Sequence, residues 1–214
     1  MIEKALYPFL EMRITQRHDE GNHLPHWYNS TNYSDKPWDE AGLDSGRSYF
    51  IPQNDFIIEE LLGSQTEGYS VRLKSVNELK IPYQTNPVYL HITLTHLNYD
   101  DYSNLSVNQI IRRGQAIIRE GTSGSATGNH LHITANLGNY YGLLQNSNGA
   151  FCFTYDIALT PVQAFYVDSS ITTILDSRSY SFPSVTPSPT PTPTPRHRGY
   201  NFVLFNRKRR FNNG

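Results

Sequence analysis

Residues 88–97 read VYLHITLTHL, ten residues dominated by β-branched, aromatic and leucine side chains with no Gly or Pro among them. Such a run suits a pleated, half-buried surface. Successive side chains of a strand leave on opposite faces, so the period-two register places Leu90, Ile92, Leu94 and His96 together and His91 on the other face with Tyr89, Thr93 and Thr95. The apolar set is the expected core face, and it ends in a histidine where the core opens to solvent.

Outward from this strand the pattern repeats in shorter pieces. A polar loop, NYDDYSNL at 98–105, leads into a turn-and-strand unit at 107–120, with RRG at 112–114 as the turn and QAIIRE as the strand. Residues 121–128, GTSGSATG, form a glycine-rich loop, and alternation resumes over 129–137. Near the other end FCFTYDIAL (151–159) reads as a strand, and Thr160-Pro161 before VQAF reads as a helix start, Thr as N-cap and Pro in the first turn.

Composition agrees with this reading. Of 214 residues 37% are hydrophobic, and 15 Tyr and 10 Phe accompany 14 Gly and 13 Pro, which favours short strands joined by turns over a helical bundle. One core suffices for this length. The expected fold is mainly β: a compact antiparallel sheet over residues 1–185, with one short C-terminal helix.

The single cysteine, Cys152, excludes an internal disulfide, and its neighbours Phe151 and Phe153 mark it as a buried thiol rather than a nucleophile. No stretch is long and apolar enough to span a bilayer. Residues 1–12 mix Lys4 with Glu3, Pro8 and Glu11, and no apolar run of signal-peptide length follows, so action outside a cytoplasm is expected to need another route, such as host lysis or assembly into a particle.

Residues 186–195, TPSPTPTPTP, enforce extended polyproline-like geometry and read as a disordered linker. Beyond it, residues 196–214 carry YNFVLF and six basic residues with no acid, a tail at +6 against −7 for the rest. Its expected partner is an anionic wall polymer or membrane phosphate; it is too short to read a specific nucleic-acid sequence.

Chemistry concentrates in the histidines. His130 and His132 are one residue apart, so in a strand both imidazoles leave one face while Leu131 enters the opposite layer. Two imidazoles with a carboxylate and an open position suit catalytic zinc. An HxH pair alone more often marks two partly exposed strand histidines than a ligand site. An oxygen ligand is available earlier, in GNHLPHWYNSTNYSDKPWDEAGLDSG at 21–46, where His23 and His26 precede Asp39 in the strand-like PWDEAG.

Taken together, THL at 95–97, VNQIIRRGQ at 107–115 and GTSGSATGNHLHI at 121–133 resemble the core of the lysostaphin-like, or LytM-type, zinc metallopeptidases. The resemblance covers roughly residues 10–140 and is most specific at HLH. It implies an antiparallel sheet domain with a groove across the sheet, one zinc ion, and cleavage of cross-bridge or stem peptides of bacterial peptidoglycan. The implied ligands are His23 or His26, Asp39 and His132; the implied catalytic histidines are His96 and His130. The family's spacing from first histidine to aspartate is shorter than the sixteen or thirteen positions found here, which an inserted loop (WYNSTNYSDK) explains. The family places this histidine after a small or polar residue, which favours His23 in Asn22-His23. His18 is a third candidate, and His197 has no motif support.

The absence of a signal peptide, together with the spacer and the terminal tail, fits a phage lysin or tail-associated hydrolase, closest to phage or clostridial-type wall hydrolases. A catalytically silent wall-binding or structural module is the alternative. Glu40, Asp44, Asp100 and Asp101 are expected to solvate loops or form turns, and Trp27 and Trp38 to line the core or a groove wall.

Overall fold

The computed structural model describes residues 2–21, 23, 35–42, 49–145 and 151–185. Along them run strands β1 (Glu11–Gln16), β2 (Trp38–Glu40), β3 (Tyr49–Phe50), β4 (Phe56–Leu62), β5 (Ser70–Ser75) and β6 (His91–Thr95). Helix α1 (Tyr99–Tyr102), strands β7 (Ile110–Ile111), β8 (Ile118–Arg119), β9 (Leu131–Gln145) and β10 (Phe151–Leu159), helix α2 (Pro161–Ala164) and strand β11 (Thr173–Asp176) complete the order. His26, Trp27, Asp44, the linker at 186–195 and the tail with His197 lie outside the described residues.

Nine strands form one sheet in the order β11-β1-β2-β9-β6-β5-β4-β7, with β10 also paired to β9. Its named pairs are antiparallel except β1 with β11, and β3 and β8 make a separate two-stranded ribbon.

Register explains both faces. Ile92, Leu94, Ile133, Ala135, Val71, Leu73 and Trp38 are all buried on one side. Burying each large apolar side chain there contributes about 1.5–3 kcal/mol, so a one-residue slip would place the whole set in water. Trp38 is therefore core. On the other face, paired positions run Leu62, Ser70, Thr95, His132, Asp39 and Gln16 across five adjacent pairings, a single row that brings Asp39 beside His132.

Farther along that face the sheet is polar yet covered. Thr93, Thr134 and Asn136 are buried, and the Arg72 guanidinium lies 3.7 Å from the Tyr140 ring centroid and 5.8 Å from that of Tyr155. A register shift between Ile58 and Glu60 lets Glu59 and Glu60 each accept from Arg72 at 3.0 Å, and Glu59 also meets His91 at 3.0 Å.

Two expectations change. The stretch 98–105 is not all loop: Asn98 accepts a hydrogen bond from the Asp100 amide and starts the single turn α1, so there are two short helices rather than one. The predicted C-terminal helix is α2, with a capping box between Thr160 and Gln163. Glu40 is not a loop-solvating acid. It is fully buried, accepting from the Tyr7 hydroxyl and the Arg13 amide, each at 2.5 Å. Asp100 and Asp101 do fall in a helical turn, where Asp101 accepts from Arg119 at 2.9 Å. Cys152 is buried in β10.

Candidate metal centre

The row through Thr95, His132 and Asp39 is where the histidines gather. Asp39 leaves the middle of β2 and His132 the start of β9, paired directly across the sheet. His23 arrives from the turn that follows β1. One nitrogen or oxygen from each of His23, Asp39 and His132 lies within 4.8 Å of the other two. His26 lies outside the described residues, so geometry bears on His23 alone.

Asp39 Oδ1 is the meeting point: His23 Nε2 stands at 3.1 Å, His132 Nδ1 at 3.2 Å and His130 Nε2 at 3.7 Å. The rings pack closely, His23 and His132 with centroids 4.9 Å apart, His96 and His130 4.7 Å, His96 and His132 5.7 Å. Side-chain exposure is 5% for His23, 10% for Asp39, 11% for His132 and 16% for His130, so the cluster opens toward His130.

Three of the four rings have Nδ1 beside a backbone carbonyl: His23 on Arg17 at 3.0 Å, His96 on Ser123 at 2.7 Å and His130 on Gly128 at 2.8 Å. A carbonyl only accepts, so each of these Nδ1 atoms carries a proton and each ring turns its Nε2 into the cluster. These carbonyls fix the orientation of the rings. Backbone acceptors carry no residue signature, so sequence reasoning missed Arg17, Ser123 and Gly128; the glycine-rich loop at 121–128 was the one available signal.

His96 differs from its expected placement. Alternation predicts it on the core face, but its φ of 66° lies in the left-handed region and turns the ring over to His130 and His132. Such strain in a non-glycine residue persists where surrounding structure over-determines it. Here Ser123 does so: its hydroxyl donates to the Leu97 carbonyl and accepts from the Tyr69 amide, while its carbonyl holds the His96 ring.

Burial opposes ionisation of Asp39, but hydrogen bonds from His132 and His23 outweigh it and hold the carboxyl far below the usual range. Burial pushes His132 down to about 3 against the opposing pull of Asp39, and burial also lowers His96. His132 and His96 are therefore neutral near pH 7, the state that binds metal or accepts a proton.

The donor set fits zinc. Neutral imidazole nitrogens and a carboxylate oxygen are its usual ligands, and three protein ligands leave a position open. His23 Nε2 and His132 Nδ1 both stand beside one Asp39 oxygen, at 3.1 and 3.2 Å, so the three donors converge on one point. His18 is not part of this set; its Nδ1 lies 3.2 Å from the Tyr180 hydroxyl.

No protein-family model matches the chain, and no curated protein sequence matches it. Among solved structures the chain is similar to a zinc containing peptidase from Vibrio cholerae, at 16% identity and a TM-score of 0.41, over 74% of this chain and 39% of that one. It is also similar to the catalytic domain of the prophage-encoded M23 protein EnpA from Enterococcus faecalis, at 17% identity and a TM-score of 0.37, over 64% and 88%. A third similarity is to the SpoIIQ-SpoIIIAH pore forming complex, at 10% identity and a TM-score of 0.44, over 77% and 92%. The chain thus spans about two fifths of the length of the first of these proteins.

Proposed function

We propose that this chain is a zinc-dependent endopeptidase that hydrolyses peptide bonds of bacterial peptidoglycan, with His23, Asp39 and His132 as metal ligands and His96 and His130 as catalytic residues. The observation that carries the reading is the convergence of two histidines on one Asp39 oxygen, at 3.1 and 3.2 Å, with the outer nitrogen of His23 held by a backbone carbonyl. The resemblance of THL, RRGQ and GTSGSATGNHLHI to the lysostaphin-like peptidases supplies the substrate class.

When bound, zinc supplies Lewis acidity and brings a water toward neutral pKa. The residues of the chain do the rest. Asp39 stays ionised, lowering the charge of the centre, and neutral His23 and His132 donate lone pairs. His130, the more exposed ring, presents Nε2 toward the open side and can take a proton from water as it attacks the scissile carbonyl. Protonated, that Nε2 becomes a donor to the departing amine. His96, held by Ser123, can hold or return a proton beside it, 4.7 Å ring to ring. Ser70 and Thr95, the small residues next in the row, bond to one another at 3.0 Å and are buried beside the cluster.

The site of action is the cell wall, and the basic residues 196–214 hold the enzyme to anionic wall polymer or membrane phosphate. Digestion of purified Gram-positive walls with and without chelator, with mass analysis of released fragments, tests the reading. Fragments with new amino termini that vanish on chelation are expected. Zinc-loaded protein that binds walls and releases nothing would instead identify a silent wall-binding module.

A further inference from the structure

His23 is presented by a short turn, and that turn is itself gripped by a second one. After β1 the chain folds back through Glu20 N to Arg17 O at 3.2 Å and His23 N to Glu20 O at 3.0 Å, and the Gln16 amide donates to the Glu20 carbonyl at 2.9 Å. The Arg17 carbonyl that receives the first of these bonds also orients the His23 ring. Any shift of Arg17 therefore moves the imidazole.

The second turn follows β11. Tyr180 N donates to Ser177 O at 2.9 Å, and the two residues between, Arg178 and Ser179, have φ of 47° and 66°. Positive φ at both central positions is normally left to Asn-Gly or Gly-Gly. Arg-Ser in this conformation is strained, and strain of this kind persists where neighbouring contacts impose it.

One such contact is local, the Arg178 amide donating to Asp176 Oδ1 at 2.7 Å, and the others reach toward the His23 turn. The Arg178 guanidinium donates to the Thr15 carbonyl at 2.6 Å and lies 3.6 Å from the Glu20 carboxylate. The Arg178 carbonyl accepts from Arg17 at 3.5 Å. The Tyr180 ring lies 4.7 Å below the Arg17 guanidinium, and its hydroxyl is 3.2 Å from His18 Nδ1. Tyr180 is tied to the core through Phe182, whose ring packs edge-on against Tyr7 at 5.5 Å.

We propose that the 177–180 turn is a brace that sets His23 in its metal-binding orientation before the ion arrives, with Arg178 and Tyr180 as positioning residues of the metal centre. The proposal rests on the zinc reading given above. It gives a role to a segment beyond residue 140, the end of the stretch that resembles the peptidases. Held in place, His23 loses less freedom on binding, so the brace acts on affinity rather than on fold.

Three variants separate that role from a structural one. Ser179→Gly relieves the left-handed strain and leaves both side-chain contacts; Arg178→Gly relieves it and removes the contacts to Thr15 and Glu20; Tyr180→Phe keeps the ring on Arg17 and removes the hydroxyl from His18. Zinc dissociation constants by competition with a chromophoric chelator, and melting temperatures of the metal-free proteins, are the readouts. Ser179→Gly should bind zinc like wild type, while Arg178→Gly and Tyr180→Phe bind about tenfold or more weakly, with a metal-free melting temperature for Arg178→Gly no lower than wild type. Zinc affinities within about twofold of wild type in both, or losses that simply track melting temperature, would overturn the brace. Wild type that binds no zinc would instead remove the metal centre itself.

Discussion

His23 Nε2 lies 3.1 Å from Asp39 Oδ1 while His23 Nδ1 is already committed to the Arg17 carbonyl at 3.0 Å. The ring thus turns its other nitrogen to a carboxylate oxygen that His132 Nδ1 also approaches, at 3.2 Å. His130 Nε2 approaches the same oxygen at 3.7 Å. The orientation of the rings thus brings the proposed ligands together.

Zinc that binds only the folded chain stabilises it by mass action, about 2.7 kcal/mol at one hundred times the dissociation constant. For a chain of this size the melting temperature should then rise by roughly 5–10 °C. Calorimetry of chelator-stripped protein before and after zinc addition measures this. An unchanged melting temperature would count against a folded-state metal site.

His96→Ala and His130→Ala should leave zinc stoichiometry intact and lower turnover by about 10²–10⁴. Each removes an acid–base group and no ligand. Loss of zinc in either variant would show that the division of labour among the four histidines is wrong.

Much of this was legible in the sequence, and the residues show why. Alternation in 88–97 and 129–137 yielded β6 and the start of β9, because a strand buried on one face must alternate. The proposed ligand pair Asp39 and His132 was reached through motif resemblance, and the register that sets them side by side follows from β2 pairing with β9. His96 defeated alternation because one left-handed residue reverses a face without changing the composition. Glu40 defeated the expectation for acids because its partners, Tyr7 and the Arg13 amide, are 33 and 27 residues away. Helix α1 is a single turn, too short to show a period.

Glu40 makes stability depend on pH. Burial, its largest influence, raises its pKa from 4.5 to about 8, against hydrogen bonds from Tyr7 and Arg13 that lower it. The folded state therefore holds this proton more tightly than the unfolded one, and the contribution is full below about 4.5 and lost as pH rises through about 8. Glu40→Gln should flatten the fall of melting temperature between pH 5 and pH 9, leaving a residual slope from Asp35, which burial also raises to about 8. An unchanged slope in thermal melts across that range would show that Glu40 is ionised when folded.

Gly121 lies where a side chain has no room: a Cβ would meet the Asn98 amide nitrogen and the His96 carbonyl oxygen at 2.6 Å. Both are backbone, so Gly121→Ala must push the glycine-rich loop away from the end of β6. Turnover should fall more than about tenfold with zinc still bound, since His96 and Ser123 part while the ligands stay. Full activity in a wall-clearing assay would contradict this contact.

The central claim is that His23, Asp39 and His132 hold one zinc ion. Elemental analysis of the purified wild-type chain beside His132→Ala, both folded by circular dichroism, tests it most directly. The account predicts one zinc per chain in wild type and none in His132→Ala. A metal-free wild type, or a variant that keeps its zinc, would contradict it.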